Sequence, residues 1–580
     1  MTTALARLCP LTLTRLDTIY LMAQKLSSIG AGLERRSVVS VLLFPFHPYA
    51  SKPYRLLLFR RSDKVSTYQR KLAPIAGSIE IDDKSPLDAA WRELGEETGL
   101  GPQQIELWRR GPGFEFTDEK AVTGSEGPNT KMGRIWTVHP FAFRMKTQLV
   151  DDNNNVNTSV MRLDWEHFNC EWHNVEDILS GKILDECVPR LEITLGQVWI
   201  GPESVLHEAV EELRLDHVHG ARELATMAVK SLIKIVENDQ QTAKADTPQD
   251  LAKWWESLRL KAFHLAVNAR PSMGAAISSA IVTALRDARQ KIDGAQVGIF
   301  DKVKESLEAT VTKRSLISKR VSDQFSAFLR EKFPAQPADG KEKQVLNILT
   351  LSSSSTTKAA LIHALETNPS LMVELRILES RPLCEGVSLA KALTEEAQKR
   401  QTAEREGRGF HDRLRIVLAT DASVGVLSKN VDLVIIGADR ISEAGDVSNK
   451  TGSLPAVLTC KEVTNGAARV VCISEAEKIA PPGAAADHPE EDNDQVEVAS
   501  GWNLQSQPSL WDQMVAVRNV YFEWVPYKYI DYYVCEDGTL TTEEIEKRSK
   551  QIADLTADVF SVFKVKDFHG WHELRAETRH

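Results

Sequence analysis

The sequence is poor in cysteine, and none of its cysteines forms a C-x-x-C pair. Seven cysteines are scattered over 580 residues, which excludes a structural zinc site built on such pairs and indicates a reducing compartment. Long apolar runs are also missing. No run approaches the ~18 residues that cross a bilayer, so we do not expect a membrane protein. Residues 1–36 lack the apolar core of a secretory signal. We predict a helical lead-in there and a cytoplasmic location, with a mitochondrial presequence as the alternative.

An excess of basic charge is absent as well. Lys and Arg number 71 against 81 Asp and Glu, which gives a net charge of −10. Proteins that bind nucleic acid directly usually present a basic surface. Direct nucleic-acid binding is therefore not expected, whereas local sites for small anionic ligands are compatible with this balance. A chain of 580 residues is too long for one hydrophobic core, so we expect two or three domains.

Two regions with different patterns of apolar residues follow the lead-in. Residues 37–200 contain strand-like stretches at Val38–Phe44, Tyr54–Phe59 and Arg134–Met145, with a polar insertion at Thr117–Lys131. Residues 203–340 show the 3.6-residue apolar period of helices. A polar stretch at 237–250 interrupts that period, and we predict a loop there.

Beyond residue 340, short apolar runs alternate with amphipathic stretches. The predicted strands are Val345–Leu351, Val373–Leu378, Leu414–Ala419, Leu433–Gly437 and Val470–Ile473. This alternation is typical of a parallel, doubly wound α/β sheet, which we assign to residues 341–575. Within it, residues 481–501 are rich in Ala, Asp and Glu without periodicity. We predict a disordered acidic insertion there.

The most informative motif lies on a short predicted helix. Ser85 and Pro86 favour a helix start, and Gly99 favours its end. Between them, Glu93, Glu96 and Glu97 stand at positions i, i+3 and i+4. Three carboxylates therefore share one helical face and repel one another.

A hard divalent ion, Mg²⁺ or Mn²⁺, relieves such repulsion because it prefers oxygen ligands and bridges to substrate phosphates. Arg92 can brace one of the carboxylates by a bidentate hydrogen bond. For the charge cluster alone, a solvated acidic helix face is the alternative interpretation.

The stretch R-E-L-G-E-E-T-G-L at 92–100, after a glycine-containing strand exit at Gly77, resembles the signature of the Nudix hydrolase family. The resemblance covers about residues 37–200. It implies an α/β/α sandwich that hydrolyses nucleoside diphosphates linked to another group. It also implies that Glu93, Glu96 and Glu97 are metal ligands and that Arg92 organises them, so that these four residues form the catalytic set.

The segment upstream of the helix departs from the family pattern. Counted back from Arg92, the signature glycine falls on Ser78 and the loop glutamate on Lys84. Asp83 lies one residue away and is the candidate substitute. Candidates for the general base are Glu80 and the Glu115–Glu119 region.

Several short segments of the C-terminal half carry hydroxyl, amide and basic side chains directly after apolar strands. In a doubly wound sheet the carboxyl ends of the strands open onto the ligand crevice, and hydroxyl-rich turns before helices donate to phosphates. The candidate ligand-binding residues are Arg270, Ser352, Ser354, Ser355, Arg381, Asn449 and Lys450. Any one of them alone is explained as an ordinary turn or surface residue.

Together, the segments E-S-R-P at 379–382 and G-A-D-R-I at 437–441, followed by N-K at 449–450, resemble the initiation factor 2B alpha/beta/delta subunit family. That family includes methylthioribose-1-phosphate and ribose-1,5-bisphosphate isomerases. The resemblance covers about residues 203–575, with a helical subdomain at 203–340 and a Rossmann-like sugar-phosphate-binding domain after it. It implies a homodimer formed through the C-terminal domain.

The isomerases of this family transfer protons with a cysteine and an aspartate. Asp439 matches the aspartate, which makes it the candidate catalytic residue of this half. The cysteine position falls on Ser352, a much weaker acid than a thiol. His219 stands where the isomerases tend to have arginine.

We therefore expect a metal-dependent Nudix pyrophosphohydrolase acting on a nucleoside diphosphate derivative such as ADP-ribose, fused to a sugar-phosphate-binding domain. Hydrolysis of ADP-ribose releases ribose 5-phosphate, which would connect the two halves. The alternatives are a non-enzymatic regulator of translation initiation and an aldose-1-phosphate isomerase.

Overall fold

The computed structural model describes most of the chain. The described residues are 34–118, 134–146, 161–216, 219–243, 247–294, 297–334, 345–403, 410–483, 493–502, 511–561 and 563–564. The predicted polar insertion lies outside them from residue 119 onward, as does the lead-in up to residue 33.

The N-terminal unit is a mixed sheet covered by helices on both faces. Its strands are β1 (Glu34–Phe44), β2 (Arg55–Arg61), β3 (Leu72–Ala73), β4 (Ile75–Ser78), β5 (Ile105–Arg110), β6 (Phe114–Asp118), β7 (Arg134–Met145) and β8 (His167–Asn174), and its helices are α1 (Pro86–Thr98), α2 (Val175–Leu179) and α3 (Leu191–Gly196). Apolar residues of α1 pack on one face of the sheet, and those of α2 and α3 pack on the other. The predicted α/β/α sandwich is confirmed.

The first strand begins earlier than the sequence indicated. Glu34, Arg35 and Arg36 were assigned to the helical lead-in, but they pair in parallel with Arg134–Trp136 of β7. The predicted helical lead-in was therefore wrong for residues 34–36, which belong to β1. A strand partner 100 residues further along the chain sets the start of β1, and local sequence does not report it.

The second unit is helical, as predicted. Its helices are α4 (Val205–Leu215), α5 (Ala221–Thr242), α6 (Pro248–Val267), α7 (Gly274–Ile292), α8 (Ile299–Ser315) and α9 (Ile317–Lys332). The loop predicted at 237–250 is largely helix instead. Asp239 is buried and accepts hydrogen bonds from Trp254 Nε1 at 3.0 Å and Lys261 Nζ at 2.5 Å. These tertiary bonds extend α5 through a stretch that looks polar in sequence.

The third unit is a parallel sheet with helices around it. Its strands are β9 (Val345–Leu351), β10 (Met372–Leu378), β11 (Leu414–Ala419), β12 (Leu433–Ile436), β13 (Arg440–Ile441), β14 (Val447–Lys450), β15 (Arg469–Ile473), β16 (Phe522–Val525), β17 (Tyr532–Cys535) and β18 (Gly538–Leu540), and its helices are α10 (Ser355–Thr367), α11 (Glu385–Ala403), α12 (Phe410–Arg413), α13 (Val424–Leu427), α14 (Ser453–Val463), α15 (Gln495–Ala499), α16 (Trp511–Met514) and α17 (Thr542–Val559).

The main sheet of this unit has the order β11-β10-β9-β12-β15-β17-β18. All its pairs are parallel except that of β17 with β18. The five strands predicted from apolar runs are present within one residue of their expected ends, so the Rossmann-like sheet is confirmed. The carboxyl ends of β9, β10 and β12 lie side by side.

The predicted acidic insertion, 481–501, is partly helical. Residues 484–492 lie outside the described residues, but α15 follows them, with the carboxylate of Asp494 accepting a hydrogen bond from Val496 N at 2.9 Å. Glu497 accepts hydrogen bonds from Asn519 Nδ2 at 2.8 Å and Tyr521 Oη at 2.6 Å. The prediction of disorder was wrong for this part, because contacts with the segment before β16 hold it.

The units contact one another directly. The side chain of Asn268, at the end of α6, exchanges two hydrogen bonds of 2.8 Å with the backbone of Arg110 in β5. Arg259 of α6 donates to the carbonyl oxygens of Val559 at 2.6 Å and Ser561 at 2.9 Å. Strand β19 (Phe563–Lys564) then pairs with β6, so the C-terminal segment joins the N-terminal sheet. Among the described helices, none is long and apolar enough to cross a membrane.

Glu536, after β17, makes the stability of this unit depend on pH. Burial raises the pKa of its carboxyl to about 7, above the value in an unfolded chain. The folded state therefore holds this proton more tightly, and the free energy of unfolding is expected to fall as pH rises from about 4.5 to about 7. Urea unfolding should show a loss on the order of 2 kcal/mol over this range that is missing in Glu536→Gln. The exposed-site variant Glu546→Gln should behave like the wild type, and an unchanged pH profile in Glu536→Gln would contradict the assignment.

Candidate functional site

Helix α1 has both of its predicted ends. Ser85 Oγ accepts a hydrogen bond from Asp88 N at 3.2 Å, and Pro86 occupies the first turn. At the other end Gly99 has a φ of 69°, and its N–H donates to Gly95 O at 3.0 Å. Local capping chemistry thus fixes the helix that carries the three glutamates.

Gly77, at the end of β4, makes room for the first of these glutamates. A Cβ atom built on Gly77 would lie 1.9 Å from both Cδ and Oε1 of Glu93. The carboxylate of Glu93 therefore occupies the space that any larger residue at 77 would need.

Arg92 connects the helix to the preceding loop. Its Nη1 donates to Glu93 Oε1 at 2.8 Å and Glu96 Oε2 at 3.2 Å. Its Nε and Nη2 form a bidentate pair with Asp83 at 3.1 and 2.9 Å, and Nη2 also donates to Ser78 O at 2.9 Å. Asp83 thus contacts Arg92 as expected of a substitute for the loop glutamate whose position is taken by Lys84. Arg92 holds the loop and two carboxylates in one arrangement.

Glu97 points away from Arg92 into the protein. It is 4 % exposed, and its Oε2 lies 3.2 Å from Nδ1 of His167, at ion-pair distance but without hydrogen-bond alignment. Burial raises the pKa of Glu97, and the imidazole of His167 opposes that shift. Burial likewise raises the pKa of Glu93 to about 7. Burial therefore disfavours the charged form of both carboxyl groups.

A divalent cation fits this donor set. In the described part of the chain, no three acidic, histidine or cysteine side chains converge closely enough to hold a metal ion. On α1, Arg92 bridges Glu93 and Glu96, while Glu97 faces His167. The oxygens are nevertheless the hard donors that Mg²⁺ and Mn²⁺ prefer. Oε2 of Glu97 is buried and makes no hydrogen bond, which is the kind of atom that a cation satisfies.

The structure describes two of the general-base candidates. Glu115 accepts hydrogen bonds from Arg35 Nη1 and Thr137 Oγ1, both at 3.1 Å, within the sheet. Glu80 lies in the loop, where its N–H donates to Asp83 at 2.7 Å. Sequence reasoning missed His167, because it reaches Glu97 through the sheet from a segment about 70 residues downstream. Neither glutamate is assigned as the base.

The second candidate site lies at the carboxyl ends of the parallel strands. Ser352 follows β9 with a φ of 63°, and its N–H donates to Ser380 Oγ at 2.7 Å. Ser352 Oγ donates to Glu385 Oε2 at 3.3 Å, and Lys450 Nζ lies 3.2 Å from Glu385 Oε1. The carboxylate of Glu385 therefore joins two of the candidate ligand-binding residues. Sequence analysis did not single it out.

Two other candidates, Ser354 and Asn449, flank the loop after β12, and a third, Ser355, follows Ser354 in the chain. Ser354 Oγ accepts from Thr357 N at 3.2 Å and so caps α10. A Cβ built on Gly437 would lie 3.4 Å from Asn449 Oδ1 and 3.8 Å from Ser354 Oγ, so these side chains flank the same glycine. Ser355 Oγ donates to Glu223 Oε1 at 3.4 Å and contacts the helical unit.

Asp439 is close to a buried cation. Lys478 Nζ donates to Ala438 O at 2.6 Å and lies 3.1 Å from Glu475 Oε2. Although burial opposes its charged form, the carboxylates of Glu475 and Asp439 raise the pKa of Lys478. Asp439 thus lies beside a positive charge at the crevice.

The two arginine candidates are placed differently from the rest. Arg270 is buried before α7 and donates to the carbonyl oxygen of Asp216. Arg381 is exposed and its guanidinium lies against Gly501. A Cβ atom built on Gly501 would be 1.9 Å from Arg381 Nη2. Glu385 contacts both Ser352 and Lys450, and Ser354 and Asn449 both flank Gly437. None of these contacts includes either arginine.

Comparisons with known proteins divide the chain in the same way. A model described as the NUDIX domain matches residues 34–191. A model described as the Initiation factor 2 subunit family matches residues 217–401 and 408–542.

Relatives of the second part include enzymes and initiation factors. The chain is 26 % identical over 348 residues to a ribose 1,5-bisphosphate isomerase from Archaeoglobus fulgidus, covering 59 % of this chain and 91 % of that protein. It is 34 % identical over 128 residues to a methylthioribose-1-phosphate isomerase from Dechloromonas aromatica, covering 21 % and 35 %. The crystal structure of a translation initiation factor eIF-2B from Pyrococcus horikoshii matches with a TM-score of 0.38 at 20 % identity, covering 58 % and 96 %.

Proposed function

The chain belongs to the initiation factor 2 subunit family and carries a NUDIX domain ahead of that unit, and from this premise we propose that it is a metal-dependent pyrophosphohydrolase of a nucleoside diphosphate derivative. The observation that carries the proposal is the set around Arg92. This guanidinium holds Glu93, Glu96 and Asp83 together, while Glu97 stays buried with an unsatisfied oxygen.

Glu93, Glu96 and Glu97 would hold Mg²⁺ or Mn²⁺. The ion supplies charge for the substrate phosphates and increases the acidity of water. The residues of the chain have separate tasks: Gly77 leaves space for Glu93, Arg92 orients Glu93 and Glu96, and Asp83 fixes Arg92. Water attack at phosphorus then separates the two halves of the diphosphate.

A panel of nucleoside diphosphate derivatives, including ADP-ribose, tests this proposal when incubated with Mg²⁺ or Mn²⁺ in ¹⁸O-labelled water. Hydrolysis is expected to place one ¹⁸O atom in one of the two phosphate products and to stop when the metal is chelated. Products without label, or no hydrolysis of any member of the panel, would contradict it.

Gly77→Ala should lower hydrolysis with little loss of stability. The new methyl group overlaps the end of the flexible Glu93 side chain, which can rotate away, so folding is largely spared while the carboxylate leaves its position. Loss of such support typically costs about 10–100-fold in activity. Gly95→Ala on α1, the helix that carries Glu93, is the matched control, because nothing lies within 4 Å of its added Cβ. Equal activities of the two variants would rule out this role of Gly77.

We also propose that the second unit binds a sugar phosphate. Ser354, Asn449 and Lys450 lie at the carboxyl ends of the parallel strands, where doubly wound sheets bind ligands, and Lys450 supplies positive charge. Arg270, Ser352, Ser355 and Arg381 are proposed as further ligand-binding residues of that crevice. Ribose 5-phosphate, the second product of ADP-ribose hydrolysis, is the first ligand to titrate.

The assembly and compartment are proposed on the same basis. Family membership supports the proposal of a homodimer through the C-terminal domain, and sedimentation of the purified chain checks it. A cytoplasmic location is consistent with the six described cysteines, which are all free.

A further inference from the structure

One carboxylate of the crevice has no role in phosphate binding. Glu385 accepts from Ser352 Oγ at 3.3 Å through one oxygen and pairs with Lys450 Nζ at 3.2 Å through the other. A carboxylate repels phosphate, so its position between two candidate ligand-binding residues needs another explanation.

The fold holds Glu385 at this place closely. Gly386 follows it, and a Cβ on Gly386 would lie 2.0 Å from the carbonyl oxygen of Leu378, so only glycine lets the start of α11 approach the end of β10. Lys450 Nζ lies 4.4 Å from the ring centroid of Tyr521 and 5.0 Å from that of Phe522. The ammonium is thereby fixed beside the carboxylate by cation–π contacts.

The side chains have the access that a reaction needs. Glu385 is 26 % exposed and Lys450 is 20 % exposed, so both side chains keep surface that a ligand can reach. A hydroxyl, a carboxylate and an ammonium thus meet at the carboxyl ends of parallel strands. A carboxylate base beside a cation is suited to removing a proton next to a carbonyl group, because the cation stabilises the oxyanion that forms.

We propose that the second unit is an aldose–ketose isomerase for a sugar phosphate with a free anomeric carbon, and that Glu385 is its proton-transferring base. Ribose 5-phosphate is such a sugar, and its supply by the N-terminal unit rests on the proposed hydrolase function. An aldose of this kind opens to its aldehyde in water, so the site only has to act on the open chain.

The step conserves all atoms and electrons. Glu385 takes the proton from C2, the C2–H electron pair forms the C1=C2 bond, and the carbonyl electrons move to O1, where Lys450 stabilises the negative charge. The proton of the O2 hydroxyl passes to O1 through the hydroxyl of Ser352 as the C2=O bond forms. Glu385 then returns its proton to C1, which gives the ketose. In this scheme Ser352 relays a proton and does not have to replace a thiol as an acid.

The test uses the purified full chain with ribose 5-phosphate added directly, and follows ribulose 5-phosphate by NMR in D₂O. The wild type is expected to form ketose, with deuterium at C1 in those molecules in which the proton held by Glu385 exchanges with the solvent before it is returned. Glu385→Gln should lower kcat by about 100-fold or more, the usual contribution of a general base, with KM little changed, and Glu385→Asp should restore part of the rate.

Glu395→Gln, an exposed position on the same helix, is the matched control and should keep the wild-type rate. Circular dichroism and the unfolding midpoint establish that each variant is folded. The absence of ketose formation by the wild type, or an equal rate in folded Glu385→Gln, overturns the proposal. Since no AMP-releasing step is involved, failure of the hydrolase proposal would leave this result unaffected.

Discussion

Replacing Glu97 with Gln is expected to reduce metal-dependent hydrolysis by about 100-fold or more. The amide keeps the shape of the side chain but removes the buried charge whose Oε2 has no hydrogen-bond partner. Metal ions contribute several kcal/mol of charge stabilisation, and each ~1.4 kcal/mol is a factor of ten in rate. Initial rates at saturating Mg²⁺, together with the metal concentration for half-maximal rate, measure the effect.

The neighbouring pair of Glu171 and Arg60 provides the control for Glu97. Glu171 of β8 accepts from Arg60 Nε at 2.9 Å and has no proposed catalytic role. Glu171→Gln should therefore leave the rate close to that of the wild type. If Glu97→Gln retains wild-type hydrolysis with the same metal requirement, Glu97 is not a ligand and the proposed site is wrong.

Arg314→Met is expected to cost about 3–5 kcal/mol of stability, the usual effect of removing one partner of a buried ion pair. Arg314 Nη2 donates to Glu477 Oε1 at 2.9 Å and to Arg222 O at 3.0 Å, while its Nε donates to Thr226 Oγ1 at 3.0 Å. The side chains of Arg314 and Glu477 are 6 % and 9 % exposed. The variant leaves the Glu477 carboxylate buried without its cation. Urea unfolding monitored by fluorescence gives the change.

An exposed pair supplies the comparison for Arg314. Arg320 Nη2 lies 2.7 Å from Asp537 Oδ1 at the surface, so Arg320→Met should cost at most about 1 kcal/mol. The double variant Arg314→Met/Glu477→Met should recover part of the loss, because it removes the stranded charge as well. A loss for Arg314→Met no greater than that for Arg320→Met would show that the pair does not hold α8 to the end of β15.

Sequence patterns predicted the helices and strands whose ends are determined by neighbouring residues in the chain. Helix α1 starts and stops where Ser85, Pro86 and Gly99 provide its caps, and the five buried strands of the C-terminal sheet follow their apolar runs. The motif at 92–97 located the glutamates and Arg92 without any knowledge of their contacts. These features depend on residues within a few positions of one another.

Features that depend on distant partners were not predicted. The strand at Glu34–Arg36 exists because of β7, and the helical turn at Glu237–Thr242 is stabilised in part by Asp239, which binds Trp254 and Lys261. Glu385 was not identified from the sequence, because its contacts with Ser352 and Lys450 join three segments that are far apart in the chain. In each case the deciding contact joins residues that no short window of sequence contains.

The most direct measurement of the central claim is Mg²⁺-dependent release of AMP from ADP-ribose by the purified full chain, beside the double variant Glu96→Gln/Glu97→Gln. The proposed hydrolase releases AMP and ribose 5-phosphate only with the metal, and the double variant releases neither. If AMP release by the wild type is absent with every divalent ion, or is the same in the double variant, the first site is not the centre of a metal-dependent hydrolase of ADP-ribose.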